Sequence, residues 1–333
     1  MNAFIKSSVN LALMLLAAIS LSLKAGDFEH LKRSWPNTDF SKYTVDLTEL
    51  QSGGPGKDGI PAIDAPVFVP ISKVADLPDK EPVIGLVVGS QAKAYPLRIL
   101  MWHEIVNDSI AGIPVTITYC PLCNTSIVFD RRLNGKVLDF GTTGNLRHSD
   151  LVMYDRQTES WWQQYGGEAI VGTYAGEKLT IIPSRLESFE SFRQRAPKGQ
   201  VLIPNDSSAR NYGANPYVGY DQSPFPFLYK GVVPKGVSPM MRVVAVENVA
   251  FTLPYLMEKQ QIEKDGLTLD WHAGQVSVLE AAKIADSHDV GNVRVQRNDQ
   301  DVPHVVTFAF AFFAFHPEGT LYTHSGSIKG DNK

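Results

Sequence analysis

Between Val83 and Phe140 the chain is a succession of short apolar runs broken by turns: VIGLVVG, PVTITY, SIVFDRR and KVLDF. Each has the length and the β-branched content of a strand, and none is long enough for a helix of several turns. Strand-like pieces continue with LVMYD, EAIVGTY, KLTIIP and RVVAVE, and VVTFAFAFFAF reads as a last strand over Val305–Phe315. Helical patterns are few. One starts at Pro96 and carries Leu100, His103 and Asn107 on neighbouring turns. Others fall at Leu186–Arg195 and at the LEAAKIA segment, and Val249–Met257 reads as a hydrophobic helix or strand. The pattern predicts a mostly-β or α+β protein, with a compact multi-stranded antiparallel β core and a few short helices. No βαβ rhythm, no Walker A loop and no G-x-G-x-x-G motif is present, which argues against a doubly wound nucleotide fold. The sequence has no repeat period and no low-complexity tract.

With 333 residues, the length suits one large domain or two moderate ones. Residues 1–25 read as a signal peptide. Lys6 gives a positive start, Leu11 to Leu23 an apolar stretch, and Ala18, Ser20, Ser22 and Ala25 small cleavage positions. The apolar stretch is too short for a membrane span, so after cleavage the protein is expected to be periplasmic or secreted. Residues 26–82, rich in Pro and Gly, read as an extended arm packing on the core. Residues 83–246 read as the β-rich core, and 247–333 as an α+β extension of it. Losing Lys6 and Lys24 moves the formal net charge from -4 to -6. A mildly acidic chain without a basic block offers no footing for nucleic acid.

Only two cysteines occur, Cys120 and Cys123, three positions apart. Such a pair cannot tie distant parts of the chain together. A strand leads into Cys120, Pro121–Leu122 form the turn, and NTSIVF leaves as a second strand. This is poor helix material, unlike the helix-opening C-x-x-C of thioredoxin-like proteins. A tight knuckle between two strands presents two thiolates to one ion, as metal sites require.

One knuckle supplies two ligands, so others must join it. His148 and His103 are the candidates, giving a Cys120, Cys123, His148 and His103 set for copper or zinc. Met153 would be a soft ligand for copper, though strand alternation turns it away from His148. Asp150, on the His148 face, would orient a ligand from behind. The remaining histidines show no partnering pattern. Two other readings stay open. The pair could act in thiol–disulfide exchange with a periplasmic redox partner, with Cys120 attacking and Arg147, Arg131 or His148 lowering its pKa. Alternatively, the CPLC turn is a clip in a protein whose aromatic, Pro-rich segment Asn205–Pro239 holds a small molecule.

The strings AYPLRILMWHEIVND, GIPVTITYCPLCNTSIVFDR and FGTTGNLRHSDLVMYDRQTESWWQQ, with KDGIPAI and NPYVGYD, resemble a widespread prokaryotic family known only as a domain of unknown function. The resemblance covers about Asp27 to Val246. It implies an exported protein that keeps the Cys pair, and it carries no activity.

Overall fold

The computed structural model describes residues 31–330, so the expected signal segment lies outside the described residues. The chain is mostly β, arranged in several antiparallel sheets with short helices between strands. No helix among the described residues is long and apolar enough to cross a membrane.

The architecture is an internal duplication, which the sequence reading did not detect. In the first copy, strands Pro82–Val88 and Gln91–Pro96 form a hairpin that runs into helix Leu97–His103. In the second, Arg242–Val246 and Val249–Thr252 form a hairpin running into helix Leu253–Lys259. Both helices end on a left-handed residue, Glu104 at φ 57 and Gln260 at φ 62. Each then continues into a hairpin closed by a two-residue turn of positive φ, Ala111–Gly112 in one copy and Asp265–Gly266 in the other.

Each copy also adds a strand–helix–strand unit to its sheet. Arg185–Ser188, helix Phe189–Arg195 and Gln200–Ile203 do this in the first copy. Val305–Phe308, helix Ala309–Phe315 and Thr320–Thr323 do it in the second. The registers correspond: Val83 faces Glu187 as Val243 faces Thr307, and Ala94 faces Val201 as Ala250 faces Leu321. The two satellite cores match in the same way, Val83, Ala94, Phe192 and Val201 against Val243, Ala250, Phe312 and Leu321.

This resolves two local expectations. Val305–Phe315 is not one strand, because the chain turns into a helix at Ala309, equivalent to Phe189. The LEAAKIA segment forms only a single turn of 3-10 helix, Ile284–Asp286, within an irregular loop. The boundary placed at Val246 falls inside the Arg242–Thr252 hairpin, so the C-terminal part is the second copy rather than an appendage.

The copies exchange support. The Thr307 hydroxyl donates to the Cys123 carbonyl (2.8 Å), and the Asn124 amide donates to the Val306 carbonyl (3.1 Å). In return the Ser188 N–H donates to the Asn292 side chain of the second copy (2.6 Å). One buried cluster runs through both, from Ile84 and Ile117 to Val244, Leu269 and Phe308.

Two departures from symmetry shape the site. The first copy carries an inserted five-stranded sheet containing Phe140–Arg147 and Asp150–Asp155. The arm crosses this sheet, pairing Leu50–Ser52 with it and burying Trp35 against Tyr154 and Trp161. In the second copy a long loop, residues 273–291, replaces the four-residue Cys turn.

Phe192→Ala and Phe312→Ala empty equivalent places in the two satellite cores, so each is expected to cost about 3–5 kcal/mol. Urea denaturation should show both variants shifting a single shared transition, because the buried cluster is continuous across the copies.

Candidate functional site

Strand Ile113–Cys120 delivers Cys120, and Thr125–Asp130 leaves the knuckle in antiparallel register, Cys120 facing Thr125. The turn closes through the Asn124 N–H to the Pro121 carbonyl (3.2 Å), with Asn124 itself at φ 54. Its side chain accepts from the Tyr119 hydroxyl (3.1 Å). The Tyr220 hydroxyl donates to the Leu122 carbonyl (3.0 Å), tying the aromatic loop to the turn. The knuckle is therefore held on three sides and has little freedom to open.

Cys120 and Cys123 are free thiols, both buried. The third group beside them is Asp150. Ligand atoms of Cys120, Cys123 and Asp150 all lie within 4.8 Å of one another, with all three residues buried. Asp150 is fixed by hydrogen bonds from the Gln163 amide (2.6 Å) and the Tyr165 N–H (2.9 Å). Gln164 braces the knuckle from the same strand end, donating to Thr118 (2.9 Å) and accepting from Thr125 (2.7 Å).

Neither histidine joins this cluster. His148 and Ser149 form the two-residue turn between Arg147 and Asp150, both at positive φ. That geometry sends the His148 ring toward Glu49 (3.4 Å) and the edges of Tyr229 and Phe315. His103 bonds to the Pro61 carbonyl and the Tyr212 hydroxyl, each at 2.8 Å, and stacks on Tyr212. The position expected to support a ligand, Asp150, is thus the one at the thiols. The signal for it was its place directly after a tight turn, at the start of a buried strand.

The electrostatics are one-sided. Burial pushes the Cys120 thiol up, with Asp150 and Glu104 adding to the shift and Cys123 opposing it. Burial pushes Cys123 well above the usual thiol range. Asp150 is pushed up to about 6 by burial, against the hydrogen bonds it accepts. Glu104 is pushed up to about 8 by burial and by the Asp150 charge. The basic groups expected to activate a thiolate are engaged elsewhere. Arg147 pairs with Glu49 (2.7 Å), and Arg131 with Asp139 and two backbone carbonyls.

A cavity of about 290 Å³ is lined by the sequence neighbours of the cluster, although Cys120, Cys123 and Asp150 do not themselves line it. Leu122 from the knuckle, Leu151 beside Asp150, and Glu104 line it, with Tyr217, Tyr220 and Phe227 from the aromatic loop. The loop and the Cys turn therefore serve one place, although they entered the sequence reading as competing explanations.

The raised carboxyls carry a sign for stability. Their protonated forms stabilise the fold fully below the unfolded range near pH 4, and this is lost as pH rises through about 6 and about 8. Thermal melts recorded with a chelator present should therefore fall between about pH 4 and about pH 8, and fall less in Glu104→Gln.

No curated protein and no solved structure matches the chain. A protein family does, over residues 57–319. The match takes in the second copy, which the resemblance stopped short of, and omits residues 27–56, which the resemblance included. On that match the chain belongs to the family described as "Protein of unknown function (DUF3179)".

Proposed function

We propose that this protein is an exported metalloprotein in which Cys120, Cys123 and Asp150 hold one thiophilic divalent cation at the floor of a ligand cavity. One observation carries the reading: two thiols and a carboxylate are buried together with no basic side chain turned to them among the described residues. Such a group of acids is costly to ionise in a protein interior unless a cation joins it. Two thiolates select zinc or copper over hard cations, and a carboxylate third ligand favours zinc over copper(I). Three protein ligands leave a position for water or substrate, as in catalytic rather than structural zinc sites. The cavity lined by Leu122 and Leu151, which flank the cluster in sequence, would supply the space for it. Bound there, zinc would polarise a carbonyl or phosphoryl oxygen or lower the pKa of water. Export rests on residues 1–25.

Thiol–disulfide exchange is the weaker reading. It needs a thiolate near neutral pH, and both thiols are displaced in the opposite direction.

Metal analysis of protein purified from its native compartment, with a thiol count on the same sample, is the test. About one zinc per chain is expected, lost in Cys120→Ser and Cys123→Ser. Asp150→Asn should weaken it at least about tenfold, while His148→Ala and His103→Ala retain it. Metal-free protein whose two thiols cycle against glutathione would sink the proposal in favour of exchange. A permanent disulfide would sink both.

A further inference from the structure

Glu104 lines the cavity with 7% of its surface exposed, and its carboxyl receives no hydrogen bond from any described residue. Leaving a buried carboxyl unpaired is expensive, so a natural chain keeps one only where something answers it. The duplication shows that the fold itself does not need this acid. Gln260 takes the equivalent place with the same backbone, φ 62 and ψ -34 against φ 57 and ψ -32. Both residues donate an N–H to the helix, to Leu100 in one case and Leu256 in the other. Both accept from the second strand of the hairpin that follows, from the Tyr119 N–H and the Trp271 N–H, at 2.8 Å each. The Gln260 side chain stays at the surface, donating to the Met257 carbonyl (2.6 Å). The strained turn is common property, whereas the inward carboxyl belongs to the copy with the cavity.

The charge count asks for the same answer. Ionised, Cys120, Cys123, Asp150 and Glu104 carry four negative charges in one buried neighbourhood. A divalent ion on the first three leaves two uncompensated. Apart from Thr142 and Asn145 the other side chains lining the cavity are apolar or aromatic, with Ile60, Leu122, Leu146 and Leu151 among them, and Glu104 is its one acid, a poor setting for a second hydrated metal. They also include the rings of Tyr217, Tyr220 and Phe227, whose faces attract a weakly hydrated cation. Tyr217 and Glu104 both line this cavity, so the aromatic wall and the acid border the same space.

We propose that the cavity binds a small organic cation, an amine or quaternary ammonium group with an apolar body, between the Glu104 carboxylate and the rings of Tyr217, Tyr220 and Phe227. This deepens the metal reading and rests on it for the ion at the cavity floor. The cavity then selects its ligand by charge at one end and apolar shape along the sides, and presents the rest of the molecule to the metal.

Two pairs of probes of matched shape test it: choline against 3,3-dimethylbutan-1-ol, and benzylammonium against benzyl alcohol. Calorimetry on the protein as purified, with metal measured on the same sample, should show one or both cations binding about tenfold more tightly than its neutral partner. Glu104→Gln should bring that ratio to within about twofold without changing metal content. Tyr217→Leu should lower it as well. Equal affinity within both pairs, no binding of any probe, or a preference that survives Glu104→Gln would each overturn the proposal. Wild-type ratios decide the matter even if the variants fold poorly. A Glu104-dependent preference in protein that never holds metal would sink the metal reading and leave the cation site standing. Metal without cation preference would do the reverse.

Discussion

The strand Val305–Phe308 belongs to the second copy's sheet and is spent on the first copy's chemistry. Thr307 donates to the Cys123 carbonyl, and the Val306 carbonyl accepts from Asn124. These two bonds hold the inner side of a turn whose own closure is one long backbone bond and a left-handed asparagine. Without them the Cys123 carbonyl and the Asn124 amide would be buried polar groups with nothing to meet, each costing roughly 1–3 kcal/mol. The spacing of the thiols and the cavity wall at Leu122 follow from that fixed turn.

How the members of the buried Cys–Cys–Asp cluster are assembled follows from the same plan. Two come from the repeated unit, at the end of a strand whose counterpart ends in Trp271 and His272. The third comes from the inserted sheet, which only the first copy has. The aromatic loop that closes the cavity lies between the copies in sequence, and its Tyr220 hydroxyl reaches back to Leu122. One copy supplies thiols, an insertion supplies the acid, and the connection supplies the wall.

Much of this was legible in the chain before folding. Short β-branched runs with frequent turns gave the mostly-β architecture, and NTSIVF after the cysteines gave the strand–turn–strand knuckle. The duplication was hidden because the copies share geometry rather than letters. What they have in common is little more than Phe-x4-Pro-x-Gly, Phe192 to Gly199 and Phe312 to Gly319, and insertions differ between them. The run Val305–Phe315 looked like a strand for a related reason: its composition suits one, and only its equivalence to Ser188–Arg195 shows the helix. The ligand set was half legible. A histidine beside a turn is a fair candidate, but at His148 and Ser149 the chain takes positive φ twice, which rotates the ring to Glu49 and leaves the next residue facing the thiols. Glu104 carried no local signal, since what marks it is the contrast with Gln260.

The reciprocal exchange between the copies also sets what a shortened chain would be worth. Everything that could touch an ion is encoded before the midpoint, yet the groups that hold those atoms in place arrive with the last strands to be synthesised. During synthesis the cysteines emerge long before their clamp. For that interval they are ordinary exposed thiols, and the site comes into being only once Val305–Phe308 has joined the fold.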